Sequence, residues 1–331
     1  MLWFWVAFLV ALIVVLLMGE PTLRALVAIK AGQAIREDAP ERHRTKAGTP
    51  TMGGVLIVTA LVVGVLLTLG GQAALSQQTL TRVWDPAVFC TTVLAFAGIG
   101  LLDDYLIIRR GKNLGLKARQ KLFMQCAVAT AFVVYLAVNA EPGITTALQI
   151  GEWRLDIGVW YYPLAVLFIV ALSNAVNLAD GLDGLAAGLS LIAASALGSI
   201  GSLRESSWVL QGAGALSGAC AGFLNFNRYP ARVFMGDTGS LALGAALALI
   251  ALFDKVEIIA LVVLLVFWIE MLSVILQVIS FQITGRRIFR MSPLHHHFEL
   301  SGMHETRVVM MFWIAGIICA ITGYIIAWVN A

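Results

Sequence analysis

Five aspartates stand at the edges of long apolar runs, each beside a glycine or a second aspartate: Asp103, Asp104, Asp180, Asp183 and Asp237. Ionisable groups next to hydrocarbon are costly and are kept where they function. The first group reads Gly100-Leu-Leu-Asp103-Asp104-Tyr105. Adjacent helical residues point about 100° apart, so the two carboxylates need not share one task. Their repulsion favours a proton on one of them or a cation between them. Either arrangement suits a general base or a Mg²⁺ site.

The second group runs Asn174-Ala-Val-Asn177-Leu-Ala-Asp180-Gly181-Leu-Asp183-Gly184. Its polar residues recur every three positions, which makes a stripe on a helix. A stripe of amides and carboxylates cannot face lipid, so it should line a hydrated cleft. The two Asp-Gly steps predict that the helix ends there in a tight turn. The third group is Asn227-Arg228-Tyr229-Pro230-Ala-Arg232-Val-Phe234-Met235-Gly236-Asp237-Thr238-Gly239-Ser240. Asp237, Thr238 and Ser240 fall at the start of a helix, where free backbone N–H groups favour caps and anions.

The fourth group is Ser292-Pro293-Leu294-His295-His296-His297-Phe298-Glu299, preceded by Arg286, Arg287 and Arg290. Three consecutive histidines on a helix cannot all reach one metal, and no cysteine has zinc-ligand spacing. Cationic and histidine side chains in a loop suit phosphate better. Taken together, the groups offer oxygen ligands for a hard cation and donors for phosphate. Mg²⁺ characteristically joins one or two carboxylates to substrate phosphates. The chemistry so indicated is phosphoryl transfer at a membrane edge.

The elements that must position these residues are membrane helices. The chain has 331 residues, 60% hydrophobic and 12% charged, against about 25% charged in an average soluble domain. Its mean hydropathy is +0.89. That composition excludes an ordinary soluble globule, a disordered chain and a disulfide-stapled secreted domain. A net charge of +3 without a basic stripe excludes a nucleic-acid binder. Crossing the bilayer takes about 20 apolar residues. Ten runs qualify: 1–23, 51–71, 87–106, 119–139, 159–178, 184–202, 208–226, 237–253, 256–281 and 306–329. The fold expected is an all-α polytopic membrane protein, residues 1–331 forming a single domain. With ten spans, alternation places 18 of the 22 Lys and Arg residues on one side. The positive-inside rule makes that side cytoplasmic. Both termini are then periplasmic or extracellular, and all five aspartates face the cytoplasm.

Smaller features carry no chemistry. Cys90, Cys126, Cys220 and Cys319 each lie in an apolar run and read as small hydrophobes. Residues 1–18 have no basic start and no cleavage site, so they read as a retained first span. Leu148–Ile157 alternates around Gly151-Glu152 and predicts a short hairpin. Gly214, Gly218 and Gly222 predict close helix packing within the chain, rather than a dimer seam.

The four groups, in this order and with Lys46-Ala-Gly-Thr-Pro-Thr51-Met-Gly-Gly54 ahead of them, resemble the phospho-N-acetylmuramoyl-pentapeptide transferases over nearly the whole chain. The wider superfamily of polyprenyl-phosphate aminosugar-1-phosphate transferases shares the aspartate motifs. The Pro-Leu-His-His-His-Phe-Glu run points to the muramoyl branch. The resemblance implies an enzyme of the bacterial inner membrane, with Mg²⁺ as cofactor. It would move phospho-MurNAc-pentapeptide from its UDP carrier to undecaprenyl phosphate and release UMP. It also implies a homodimer. Asp103 and Asp104 match the catalytic pair, Asp237 a Mg²⁺ ligand and His295 a further catalytic position. Asn174, Asn177, Asp180 and Asp183 match the nucleotide-holding stripe. Lys46, Thr51, Lys121, Asn227, Phe234, Gly236, Ser240, His296 and His297 match substrate-contacting positions.

One position departs from the pattern. Ile107 stands where the family usually has a lysine, so either the missing charge comes from Arg109, Arg110 or Lys112 or that contact is dispensable. Two other functions compete. A GlcNAc-1-phosphate transferase would share the aspartates. A secondary transporter would use Glu270, the one acid well inside a run, but would place its site near the bilayer midplane.

Overall fold

Backbone N–H and C=O groups in hydrocarbon must be bonded within their own segment, so long apolar runs fold as helices. The computed structural model describes residues 1–29, 48–76, 84–110, 115–139, 146–204 and 207–330. The helices are α1 (Leu2–Ala28), α2 (Gly54–Ser76), α3 (Trp84–Arg110), α4 (Ala118–Asn139), α5 (Tyr161–Ala179), α6 (Leu185–Leu203), α7 (Ser207–Asn227), α8 (Gly236–Phe253), α9 (Glu257–Val263), α10 (Leu265–Thr284), α11 (Leu294–Leu300) and α12 (Glu305–Val329). A hairpin of β1 (Ala147–Ile150) and β2 (Trp153–Asp156) precedes α5, pairing Ala147 with Asp156 and Ile150 with Trp153. It is the hairpin expected around Gly151-Glu152.

Among the described residues, nine helices are long and apolar enough to cross a membrane. The chain is thus a polytopic membrane protein. Of the ten expected runs, 208–226 is not among the nine. It forms α7, which is 21 residues long but rich in glycine, with serine and glutamine. Neighbouring helices α1, α2 and α6 enclose it, so it needs less apolar surface than a lipid-facing span. A Cβ at Gly214 or Gly218 would overlap the carbonyls of Phe4 or Phe8, and one at Gly222 would press on Val15. The glycine stripe therefore serves α1–α7 packing within the chain.

Two boundaries differ from expectation. Helix α1 continues through Pro21 to Ala28. The run 256–281 is split at Leu264, where φ −97° and ψ 11° break α9 from α10. Phe267 N–H bonds back to the Leu264 carbonyl at 3.0 Å across this junction. No glycine or proline marks it.

Helix α8 is the centre of the bundle. Its sequence, GDTGSLALGAALALIALF, is apolar all round and mostly small, as suits a helix buried on every face. Helices α2, α3, α5 and α6 pack against it. Close approach is paid for in side-chain size. A Cβ at Gly54 of α2 would overlap the Gly239 backbone, and one at Gly100 of α3 would overlap the Asp237 carbonyl. These contacts bring the start of α2, the end of α3, the start of α4 and the end of α5 around the first turn of α8.

Candidate active site

The first turn of α8 is built from two sides. Phe234 N–H bonds to the Pro50 carbonyl at 2.8 Å, Gly53 N–H to the Phe234 carbonyl at 2.9 Å, and Gly54 N–H to the Met235 carbonyl at 2.8 Å. The 50–54 segment thereby fixes where α8 begins. Gly236 follows at φ +72°, a left-handed conformation that favours glycine. A Cβ on it would lie 2.6 Å from Asp104 Oδ2 and 2.8 Å from Thr51 Oγ1.

Asp104 caps this turn from another helix. Its Oδ1 accepts from Asp237 N–H at 3.1 Å; its Oδ2 accepts from Thr238 N–H at 3.0 Å and the Thr238 hydroxyl at 2.7 Å. Both oxygens are thus engaged with orphan groups of the α8 N-terminus, where negative charge is favoured. Asp103, one residue earlier, points elsewhere. Its Oδ1 accepts from Leu116 N–H, and its Oδ2 lies 3.7 Å from Lys121 Nζ. The adjacent pair divides its work, as helical geometry requires.

Asp237 is the hub. Lys121 Nζ of α4 bonds to its Oδ2, and Asn177 Nδ2 bonds to its Oδ1 at 2.8 Å. Asn177 Nδ2 also reaches Ser240 Oγ at 2.9 Å, and that hydroxyl donates to the Gly236 carbonyl at 3.0 Å. The carboxyls of Asp103 and Asp237 are neighbours, and the Lys121 ammonium sits between them. Asp180, just beyond α5, is held well above the usual carboxylate range by burial and by the charges of Asp237, Asp104 and Asp183.

The remaining predicted residues frame this cluster. Asp183 Oδ2 accepts from Ala231 N–H at 3.0 Å, while its own N–H bonds to Glu305 Oε1 at 2.8 Å. Asn227 ties Gly184 N–H (3.0 Å) to the Val233 carbonyl (2.9 Å). Both anchor the loop that leads into α8. Asn174 bonds to Gln125 Oε1 at 2.8 Å, deeper along α5. Phe234 is half-buried beside Gly236. The three histidines have three separate partners. His295 Nδ1 meets Glu270 Oε2 at 2.9 Å, His296 Nδ1 meets Glu299 Oε2 at 2.9 Å, and His297 Nδ1 accepts from Arg290 N–H at 3.1 Å. Of these rings only His295 is fully buried, against Gly181. Lys46 lies outside the described residues.

Sequence similarity then decides the family. The profile of Glycosyl transferase family 4 matches residues 86–254, which contain all five aspartates. Residues 46–58 match phospho-N-acetylmuramoyl-pentapeptide-transferase signature 1. A protein of Heliobacterium modesticaldum named phospho-N-acetylmuramoyl-pentapeptide-transferase is 48% identical over 321 residues, 97% of each chain. One of that name from Moorella thermoacetica is 48% identical over 314 residues, 95% of each chain. Another, from Desulfitobacterium hafniense, is 44% identical over 328 residues, also 95% of each. The chain belongs to the phospho-N-acetylmuramoyl-pentapeptide-transferase family.

For this transferase-family member, the structure shows which cation stands at the carboxylates despite Ile107. It is Lys121. Arg110 bonds instead to the Gly115 carbonyl at 3.0 Å, Arg109 is exposed, and Lys112 lies outside the described residues. Two further residues join the site. Gln125, bonded to Asn174, is one amide in an apolar helix, a weak signal alone. Glu270, the acid a transporter would use, is instead the partner of His295.

Oxygen ligands suit Mg²⁺. Among the described residues, no three Asp, Glu, His or Cys side chains group to hold a metal unaided. Two carboxylates do face one another, and a cation already lies between them. That donor set fits an ion completed by substrate phosphates.

Proposed function

We propose that this chain transfers phospho-MurNAc-pentapeptide from UDP-MurNAc-pentapeptide to undecaprenyl phosphate, giving lipid I and UMP for peptidoglycan synthesis. The observation that carries the reading is the Asp103–Lys121–Asp237 cluster at the first turn of α8, in a chain with near full-length likeness to proteins of that name. The cluster lies where the ends of α3 and α5 meet the starts of α2, α4 and α8. By the distribution of Lys and Arg, that end faces the cytoplasm of a bacterial inner membrane, with both termini opposite. Counting α7 as a crossing restores the even number of spans this requires. The enzyme acts as a homodimer in this reading.

Phosphoryl transfer depends on charge neutralisation and in-line placement more than on covalent help from the protein. Asp237 would hold Mg²⁺, which when bound neutralises diphosphate charge and steadies the UMP leaving group. Lys121 turns its ammonium from the carboxylates to the diphosphate as substrate enters. Asp104 holds the α8 turn and the N–H groups of residues 237 and 238. Asp103 accepts the proton of the lipid phosphate, which attacks the sugar-linked phosphorus directly. Asn177 and Ser240 keep Asp237 in orientation. Asn174, Asp180 and Asp183 shape the nucleotide cleft, with Asp180 near the uracil and Phe234 stacking on it. Lys46, Thr51, Asn227, Gly236, His296 and His297 border the sugar-phosphate path, and His295 acts from behind Gly181.

The test is an assay of detergent-solubilised protein with undecaprenyl phosphate and either UDP-MurNAc-pentapeptide or UDP-GlcNAc. UMP formed only with the first donor is expected. UMP formed from UDP-GlcNAc alone would move the chain to the GlcNAc-1-phosphate branch. Substrate-dependent ion flux after reconstitution in liposomes, with no UMP formed, would make it a transporter.

A further inference from the structure

Glu270 of α10 and His295 of α11 are both fully buried, and they meet at 2.9 Å through Oε2 and Nδ1. Their other polar atoms, Glu270 Oε1 and His295 Nε2, are buried without a partner among the described residues. Leaving a polar atom buried and unbonded costs roughly 1–3 kcal/mol. Packing therefore does not explain the pair, because two apolar side chains would fill the same space without that cost.

The free nitrogen has a direction. His295 Nε2 abuts Gly181 so closely that a Cβ there would collide with it. Gly181 follows Asp180, which faces the charges of Asp237 and Asp104. The His296 ring lies beside it, with ring centres 4.2 Å apart. A carboxylate that accepts from Nδ1–H fixes both the tautomer and the angle of an imidazole. Nε2 is then the ring nitrogen set against Gly181.

We propose that Glu270 is a positioning residue for the transfer reaction. By orienting His295 against Gly181, it fixes where the Asp180 turn stands relative to Asp237. The pair lies outside the residues 86–254 matched by the broader glycosyl transferase profile. It is contributed by α10 and α11.

The functional readout rests on the transferase reading, so wild-type UMP release is measured alongside. Its absence would sink that reading rather than this one. Glu270→Leu removes the acceptor, and Glu270→Gln keeps one for Nδ1–H. The expected result is a kcat at least ~10-fold lower in Glu270→Leu, on the scale of one lost hydrogen bond to a charged group. Both KM values should stay near wild type, and Glu270→Gln should recover most of the kcat. Wild-type kcat in Glu270→Leu would overturn the proposal, as would equal impairment of the two variants. Should Glu270→Leu not fold, Gly181→Ala takes its place, since its methyl would push against the His295 ring that Glu270 orients and so shift the same turn. It should lose kcat by ~10-fold or more, and wild-type kcat in it would be the refuting result.

Discussion

Lys121 of α4 is ion-paired with Asp237 at the start of α8. The same ammonium lies 3.7 Å from Asp103. Two carboxylates from different helices thus share one cation, and that cation is a side chain able to move.

Removing the ammonium should separate its roles. Lys121→Gln leaves Asp103 and Asp237 facing each other uncompensated. Turnover should fall by ~100-fold, the scale of one lost electrostatic contact in a transition state. The Mg²⁺ concentration for half-maximal rate should fall as well, because a competing cation is gone. A Mg²⁺ titration of UMP release checks both, and unchanged turnover would remove Lys121 from the reaction.

The adjacent aspartates should fail differently. Asp104 bonds three donors of the α8 turn, so Asp104→Ala should destabilise the fold by about 1–2 kcal/mol, as loss of a helix cap does. Asp103→Asn should abolish turnover with little change in the unfolding midpoint. Thermal unfolding in detergent, set beside UMP release, distinguishes them. Equal midpoints for the two variants would contradict the division.

Close helix approach should matter as much as the charges. Gly100→Ala drives a methyl into the Asp237 carbonyl. Overpacking of this kind costs about 1–3 kcal/mol, and the shifted α8 turn should lose activity although no polar group has changed. Wild-type activity and midpoint in this variant would refute it.

Asp180 gives a prediction with a pH sign. Its carboxyl titrates above the usual range because burial and three neighbouring aspartates disfavour the anion. The resulting penalty on folding therefore grows as the pH rises from the ordinary carboxylate range to the raised folded-state value, is complete above it, and is absent below the ordinary range. Asp180→Asn should raise the unfolding midpoint near neutral pH, and the gain should vanish in acid. Activity should fall in the same variant. A gain that grows toward low pH would show the opposite sign.

The site was legible where polar residues interrupt apolar runs. Asp103, Asp237 and Asn177 announce themselves by type, and alternation of spans brings them to one end. Their division of labour was not legible. Asp104 serves Thr238, 134 positions away, and no local pattern records that distance. Glu270 read as an isolated acid because its partner His295 lies 25 positions on, beyond a loop. The break at Leu264 was hidden for a different reason: it falls within continuous apolar sequence and has no breaker residue. Helix α7 was readable as a run but not as an enclosed one, since the carbonyls of Phe4 and Phe8 that demand its glycines belong to α1.

UMP release by reconstituted Asp237→Asn, measured across Mg²⁺ concentrations with UDP-MurNAc-pentapeptide and undecaprenyl phosphate, bears most directly on the central claim. The substitution keeps size and removes one charge from the shared cation site. Turnover should be lost at every Mg²⁺ concentration, with the fold intact and the wild-type protein active only when both substrates and Mg²⁺ are present. Wild-type Mg²⁺ dependence and rate in that variant would show that the α8 carboxylate is not where the reaction is run.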